Sequence, residues 1–133
     1  MEETVATRTA SVFDTAPSAR NLDIYDDVGV DPKKVAKFLD LTKGELAEAA
    51  GAPKGSVRYD ERIPSDVYGY FVELATACEM VAEFFKGDVV KTGMWLRTRN
   101  PMLGNISPRD MIRLGRFSKL MRFIQNARAG ERP

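Results

Sequence analysis

The sequence contains no histidine and a single cysteine, Cys78, among its 133 residues. These absences exclude the Ser-His-Asp and Cys-His catalytic arrangements and most zinc sites, which need histidine or several thiolates. The phosphate loop that ends in Gly-Lys-Ser/Thr and the dinucleotide-binding glycine fingerprint are also missing. No local pattern separates a pair of acids from the solvated charges of helix surfaces. The sequence therefore predicts a binding protein that is not an enzyme and has no cofactor or metal of its own.

Long apolar runs are absent too. No stretch approaches the ~20 residues that cross a bilayer, and Met1-Glu2-Glu3 lacks the basic and then apolar order of a signal peptide, so we expect a cytoplasmic protein. Apolar residues make up 44% of the chain, which is typical of one domain, or of two small helical subdomains that share a core. The lone thiol of Cys78 lies in an apolar helical stretch, where we expect it to be buried.

Charge is unevenly distributed along the chain, although the net charge is only +1. Residues 1–31 carry seven acids and two bases, and residues 63–90 carry five acids and one base. Residues 91–133 carry ten bases and two acids. This asymmetry favours a basic surface for a charged partner in the last third of the chain. The alternative is a basic helix packed on the acidic helix before it.

The N-terminal half begins with a segment that has no sustained periodicity, and we expect residues 1–22 to be a flexible tail. Asp31 then has the position of an N-cap, with Pro32 as the first residue of a helix that ends near Leu41. Thr42-Lys-Gly-Glu45 has the form of a capping box and opens a second short helix ending at Gly51.

A third helix is expected to start at Pro53, because the run from Leu46 to Val57 resembles a helix-turn-helix. Small Ala47 lets two helices approach, Gly51 takes the turn, and Val57 returns to the core. The alternative is an ordinary helical hairpin. In a helix-turn-helix, the following side chains would be free to meet phosphates or base edges in the major groove: Lys54, Ser56, Arg58, Tyr59 and Arg62.

The longest predicted helix is capped by Ser65 and runs to about Lys86, where Gly87 takes a left-handed end. It is expected to form the spine of the core, with Glu73 and Glu83 facing solvent. Its apolar stripe recurs at alternating spacings of four and three: Val67, Phe71, Leu74, Cys78, Val81 and Phe85.

Two further helices are predicted after this spine. Asp88 caps the first, which contains Trp95 as a buried structural residue and ends before Asn100-Pro101. Ser107 caps the last helix, which continues to about Ala127. On this helix Leu114, Phe117, Leu120, Met121 and Ile124 form one arc that can face the core.

Three stretches of this half carry a resemblance to a known family: Val81-Ala-Glu-Phe-Phe85, Trp95-Leu-Arg-Thr-Arg-Asn-Pro-Met-Leu-Gly104 and Ser107-Pro-Arg-Asp-Met-Ile112. Together they resemble the toxin-binding domain of Xre/MbcA/ParS-family antitoxins, the bacterial partners of RES-domain toxins. The likeness covers about residues 65–127, and the helix-turn-helix-like region fits the N-terminal half of such proteins. Arg99 and Asn105 stand where proline and often glycine are expected.

The resemblance implies an all-α protein with a helix-turn-helix-like DNA-binding region at 23–64 and a helical toxin-binding and dimerisation domain at 65–133. The flexible tail expected at 1–22 lies outside the resemblance. The resemblance implies an antitoxin of a type II toxin–antitoxin pair that forms a homodimer, occludes the active site of an NAD-consuming RES-domain toxin and represses its own operon by binding operator DNA. NAD would be the substrate of the toxin. The alternative is a stand-alone transcriptional regulator whose C-terminal domain only dimerises, and a structural scaffold ranks below both.

The expected toxin-binding surface lies on the last helix and the residues after it. Ile112 and Phe123 fall on a side separate from the core arc, and the cations of Arg109, Arg116 and Lys119 flank them. The neighbouring subunit of a dimer is the alternative occupant of this side. The segment that follows the helix is expected to reach the cleft of the toxin through Arg128, Glu131 and Pro133.

Overall fold

The computed structural model describes residues 20–130, and helices dominate this part of the chain, as predicted. The helices are α1 (Pro32–Leu39), α2 (Lys43–Ala50), α3 (Ser65–Phe84), α4 (Val89–Arg97), α5 (Pro108–Arg113) and α6 (Phe117–Gly130). Extended pairing within residues 20–130 is limited to two isolated bridges, Tyr25 with Val30 and Asn100 with Ile106. None of the helices described is long and apolar enough to cross a membrane.

The first two helices begin at the predicted residues, and α1 ends at Leu39, two residues before its predicted end. The Asp31 carboxylate accepts the backbone N–H of Lys33, and the capping box between Thr42 and Glu45 is complete. Gly51 ends α2 in the left-handed conformation, with φ of 66°. Local capping chemistry is therefore sufficient to position both helices.

The prediction of a third helix that starts at Pro53 is wrong. A single 3₁₀ turn, Lys54–Ser56, stands in its place, and the chain is extended at Val57. Gly55 lowers helix propensity at the centre of this turn, and the Ser56 hydroxyl donates to the Pro53 carbonyl at 2.6 Å. Val57 still contributes to the core, as predicted. The predicted recognition helix is therefore replaced by a turn and a loop.

α3 is the spine of the core and is surrounded over its central part, where residues 74–82 are all buried. Its start differs from the prediction, because the N-cap is Pro64 and no side chain caps the first turn. Its end also comes slightly earlier than expected, with Lys86 at φ of 55° and Gly87 at φ of 85° after the last turn. The Gly87 N–H donates to the Ala82 carbonyl at 2.8 Å and closes this end of the helix.

The start of the described chain is held by a buried acid on α3, so the predicted tail is too long. The Glu79 carboxylate, in a residue only 2% exposed, accepts the backbone N–H groups of Asn21 and Leu22 and the Tyr25 hydroxyl, the last at 2.6 Å. Leu22 and Ile24 are themselves buried. Residues 21 and 22 therefore belong to the packed structure, because the carboxylate binds their backbone donors. The rest of the predicted tail, residues 1–19, lies outside the described residues.

Tyr70 on α3 combines a well-packed ring with a buried hydroxyl that is not hydrogen-bonded within the described chain. Its ring meets Phe117 edge to face with centroids 5.9 Å apart, but its buried hydroxyl has no hydrogen-bond partner among residues 20–130. We expect Tyr70→Phe to raise the free energy of unfolding by about 1 kcal/mol, because an unsatisfied buried hydroxyl is costly. Burial raises the pKa of Tyr70 to about 12, so stability should fall as pH rises above about 10, and the variant should lose less of it.

Urea denaturation of both proteins at about pH 8 and about pH 11 measures these two effects. Tyr68→Phe is the matched control on the same helix, because the Tyr68 hydroxyl donates to the Val30 carbonyl at 2.9 Å. That variant should lose about 1 kcal/mol. Equal losses in the two variants would show that the Tyr70 hydroxyl is satisfied.

The last predicted helix is two helices, α5 and α6. Gly115 breaks the run with φ of 80°, and the backbone N–H of Arg116 turns back to the Met111 carbonyl at 2.8 Å. The break changes which side chains face inward. Ile112 is 1% exposed and belongs to the core, whereas Leu114, predicted to face the core, is 49% exposed. Downstream of the break, Phe117, Leu120 and Ile124 are buried, as predicted.

Both halves of the chain contribute to one hydrophobic core. α1 contacts α3 and α4, and α2 contacts α5, so the first two helices are packed on the C-terminal helices. Leu39 and Leu46 from the first half belong to the same buried cluster as Leu74, Ile112 and Leu120. The predicted regions 23–64 and 65–133 therefore share a core over the residues described, 23–130.

Candidate functional site

An open apolar groove lies between the C-terminal part of α3, the end of α4, the loop that follows α4, and α6. Its volume is about 300 Å³. Nine residues line it: Val81, Phe84, Phe85, Trp95, Asn100, Met102, Phe123, Ile124 and Ala127. Asn100 is the single polar side chain among them. Such a groove suits an apolar segment of a partner better than a charged ligand.

The loop on one side of the groove is shaped by its own hydrogen bonds. The Asn100 side chain accepts the Met102 N–H at 2.9 Å, and the Asn100 backbone N–H donates to the Ile106 carbonyl at 3.1 Å. Gly104 and Asn105 both have positive φ, 80° and 65°. Asparagine tolerates the left-handed region better than most residues, so Asn105 keeps a conformation that glycine also adopts. The closed loop holds Met102 at the rim of the groove, 77% exposed.

Trp95 was expected to be a buried structural residue, and it packs against the core but is only partly buried. The Asp88 side chain accepts the Lys91 N–H and starts α4 as predicted, but the helix then presents the indole to the groove, where it is only half-buried. Phe84, Phe85 and Phe123 are half-buried beside it. Partly exposed aromatic side chains in a concave surface are typical anchors of protein interfaces.

The predicted toxin-binding residues do not form one surface. Ile112 lies in the core, so the expected apolar pair of Ile112 and Phe123 does not exist. Phe123 does face outward, into the groove. Arg128 is half-buried and lies 3.3 Å from Glu83, which was expected to be solvated. Glu131 and Pro133 lie outside the described residues.

Arg109 has a structural role in place of the predicted contact with a partner. Its guanidinium donates from Nε to the carbonyls of Leu39 and Asp40, both at 3.0 Å, and from Nη2 to Asp40 at 2.6 Å. It thereby satisfies the C-terminal carbonyls of α1 from a position on α5. The residue joins the two halves of the chain.

The predicted DNA-binding residues are on the surface but do not share a helix. Lys54 is exposed on the 3₁₀ turn and Arg62 is exposed in the loop. The ammonium of Lys43 lies 4.7 Å from the centre of the Tyr59 ring, and Ser56 is bound to its own turn. Without a helix, these side chains cannot enter a major groove in the geometry that the sequence predicted.

Arg58 is occupied by a neighbour within the same loop. Its Nη2 lies 2.7 Å from the Asp60 carboxylate, and its Nε lies 3.0 Å from the other oxygen. The hydrogen bond from Arg58 lowers the pKa of Asp60 to about 2, with a further contribution from the Arg62 N–H. Asp60 therefore neutralises the cation that was expected to read a base edge.

The outward side of α6 is basic. Lys119 and Arg122 are exposed on it, and Arg116 is exposed just before the helix begins. The sequence from residue 111 to residue 130 contains no acid. This basic outer face is separate from the groove, which Phe123, Ile124 and Ala127 of the same helix line.

Sequence reasoning missed Glu79 and the groove. A signal for Glu79 existed, because it is the one charged residue in the run Leu74-Ala-Thr-Ala-Cys-Glu-Met-Val-Ala82. A helix that is apolar on all sides is buried, so a lone acid in it needs partners. The groove had no such signal, because four separate segments form it.

Two observations on the described residues concern metal binding and nucleophilic chemistry. No group of three or more His, Cys, Asp or Glu side chains within 20–130 is placed to bind a metal ion. Cys78 is buried, as predicted, and burial raises the pKa of its thiol to about 12. The thiolate that a nucleophile needs is therefore disfavoured. The features suited to function are the groove and the basic outer face of α6.

Comparison of the chain with protein-family models, with curated proteins and with solved structures found no match.

Proposed function

We propose that this protein is the antitoxin of a type II toxin–antitoxin pair and that it binds a RES-domain toxin through the apolar groove. One observation carries the proposal. The sequence stretches that resemble Xre/MbcA/ParS-family antitoxins supply six of the nine groove-lining residues: Val81, Phe84, Phe85, Trp95, Asn100 and Met102. Residues that carry a family resemblance and converge on one concave surface support a shared binding role for that surface.

The chemistry of the groove suits recognition of another protein. Trp95 and Phe123 are half-buried, so an apolar side chain inserted between them would remove more apolar surface from water. Inhibition by occlusion needs no catalytic group, because the binding free energy itself keeps NAD from the active site of the toxin. In this proposal NAD is the substrate of the toxin, and the antitoxin acts as a cytoplasmic homodimer that also represses its own operon.

A second candidate is the stand-alone transcriptional regulator, which a different observation favours. The basic outer face of α6 has the charge of a nucleic-acid surface. The two candidates differ in the partner of the groove, which is a toxin in the first and a second copy of this chain in the second.

The test compares two methionine variants that introduce the same charge at exposed positions. Met102 lies on the rim of the groove, whereas Met94 is 58% exposed on α4 and does not line the groove. The assay is consumption of NAD by a purified RES-domain toxin encoded beside this gene, measured with increasing antitoxin. We expect Met102→Glu to weaken inhibition by about tenfold or more, because a desolvated charge opposes binding. Met94→Glu should inhibit as the wild type does.

A further variant and three outcomes separate the claims. Phe123→Glu should weaken inhibition, whereas Gln125→Glu, which adds the same charge on the exposed side of α6, should not. A wild-type protein that leaves the toxin fully active would contradict the antitoxin function. If the wild type inhibits the toxin and all four variants inhibit it equally well, the toxin binds somewhere other than the groove. If the wild-type protein does not bind the toxin but forms dimers, and if Met102→Glu dissociates these dimers, the result would favour the regulator.

A further inference from the structure

The outer face of α6 has a regular arrangement of side chains. Six exposed residues form it over about 15 Å of helix: Ser118, Lys119, Arg122, Gln125, Asn126 and Ala129. Lys119, Arg122 and Asn126 follow each other at spacings of three and four residues and therefore lie along one line. Gln125 stands beside Arg122, three residues further on.

The cations of this face are available to a partner. Arg116, Lys119 and Arg122 form no ion pair or side-chain hydrogen bond with another residue of the described chain. Acids do not occur between residues 111 and 130. In contrast, Arg58 is neutralised by Asp60, and Arg113 lies 3.2 Å from Asp110. Unpaired cations occur elsewhere on the described surface as well, but those of α6 lie in a stretch of twenty residues that has no acid to offset them.

The composition of the face favours nucleic acid over protein as the partner. Protein interfaces have an apolar or aromatic centre, whereas the largest apolar group on this face is the methyl of Ala129. Interfaces with DNA are polar and strongly positive. Arginine pairs with guanine, and glutamine and asparagine pair with adenine, through two hydrogen bonds in the major groove. Arg122, Gln125 and Asn126 supply these three groups on successive turns.

We propose that the outer face of α6 enters the major groove of duplex DNA and is the DNA-reading element of this protein. Arg116 and Lys119 bind phosphates at the N-terminal end of the helix, and Arg122, Gln125 and Asn126 meet base edges. This inference deepens the operon regulation in the function proposed above and does not depend on toxin binding. It assigns to α6 the role that the sequence predicted for residues 53–62.

The test measures binding of the full chain to a labelled duplex covering the promoter upstream of its own gene and to a duplex of scrambled sequence. Fluorescence anisotropy is recorded over a range of salt concentrations. The triple variant Arg116→Gln, Lys119→Gln and Arg122→Gln should bind the promoter about tenfold or more weakly, and the slope of log K against log salt should fall by about 2–3. A second variant, Gln125→Ala with Asn126→Ala, should lose the preference for the promoter and bind both duplexes with equal affinity. The slope of log K against log salt should stay unchanged.

The charge-matched control is Lys33→Gln, Lys37→Gln and Lys86→Gln, which removes three exposed cations from outside α6. It should bind the promoter as the wild type does. Absence of DNA binding by the wild type, or equal losses in both triple variants, would overturn the proposal. The proposal would also be overturned if DNA binding were lost only when Lys54, Arg58 and Arg62 are replaced. If the α6 triple variant binds DNA normally but fails to inhibit the toxin, the proposal is also overturned, and the partner of this face would be an acidic protein. Inhibition of the toxin is measured separately, so failure to bind DNA leaves the antitoxin function standing.

Discussion

Glu79→Ala is expected to lower the free energy of unfolding by about 3–5 kcal/mol, one of the two largest effects predicted for this protein. The carboxylate accepts four donors from residues 21–25, the backbone and side-chain amides of Asn21, the Leu22 N–H and the Tyr25 hydroxyl, and the substitution leaves them without this acceptor. Because Asn21 is only half-buried, water can replace part of the loss there. Chemical denaturation monitored by circular dichroism measures the change.

Two variants sharpen this prediction. Glu79→Gln keeps an oxygen acceptor without the charge, so its loss should lie between those of Glu79→Ala and the wild type. Glu73→Ala removes an exposed acid two turns earlier on the same helix and should change stability by less than about 0.5 kcal/mol. Similar small losses in Glu79→Ala and Glu73→Ala would mean that residues 21–25 are not held by this carboxylate.

Ile112→Glu is expected to destabilise the protein by at least about 4 kcal/mol and to leave most of it unfolded at moderate temperature. Ile112 is 1% exposed within the shared core, and the two cations of α5 are already engaged, Arg109 with the end of α1 and Arg113 with Asp110. Loss of the native near-ultraviolet signal and of a cooperative melting transition would be the measured result.

The control for Ile112→Glu is Leu114→Glu, two residues further along the chain. Leu114 is 49% exposed, so this variant should fold and melt within a few degrees of the wild type. A continuous helix would place Leu114 in the core and Ile112 on a partner surface, so it would predict the opposite results for the two variants. A folded Ile112→Glu protein together with an unfolded Leu114→Glu protein would restore that earlier interpretation.

Local signals explain which parts of the fold were predictable. Asp31, Thr42, Asp88 and Ser107 each cap the helix that the sequence assigned to them, because a cap depends on a few neighbouring residues. Ser65 shows the limit of this reasoning. It has the local pattern of an N-cap, but the helix begins with Ser65 itself, and Pro64 is the N-cap residue. Capping residues therefore predict where helices begin better than which residue makes the bond.

The errors came from glycines within apparently helical patterns. Gly115 was accepted as an interior helix residue, but the turn it forms packs against α2, with the position of its missing Cβ 4.0 Å from the Ala49 carbonyl oxygen. A contact with a segment that lies 66 residues earlier cannot be seen in the periodicity of one helix. The candidate site was unpredictable for the same reason. Trp95 and Phe123 line the same groove only because α4 and α6 both pack on α3.

The hydrogen bonds of Glu79 and Arg109 have a consequence for the synthesis of the chain. The amides of residues 21 and 22 leave the ribosome 58 and 57 residues ahead of the carboxylate that accepts them. The last carbonyls of α1 precede the guanidinium that binds them by 69 and 70 residues. At translation speeds of about 5–20 residues per second, the first wait lasts about 3–12 s. The N-terminal half therefore cannot complete its hydrogen bonding as it emerges, and the nascent chain exposes Leu22, Ile24 and Leu39 to chaperones until α3 and α5 have been made.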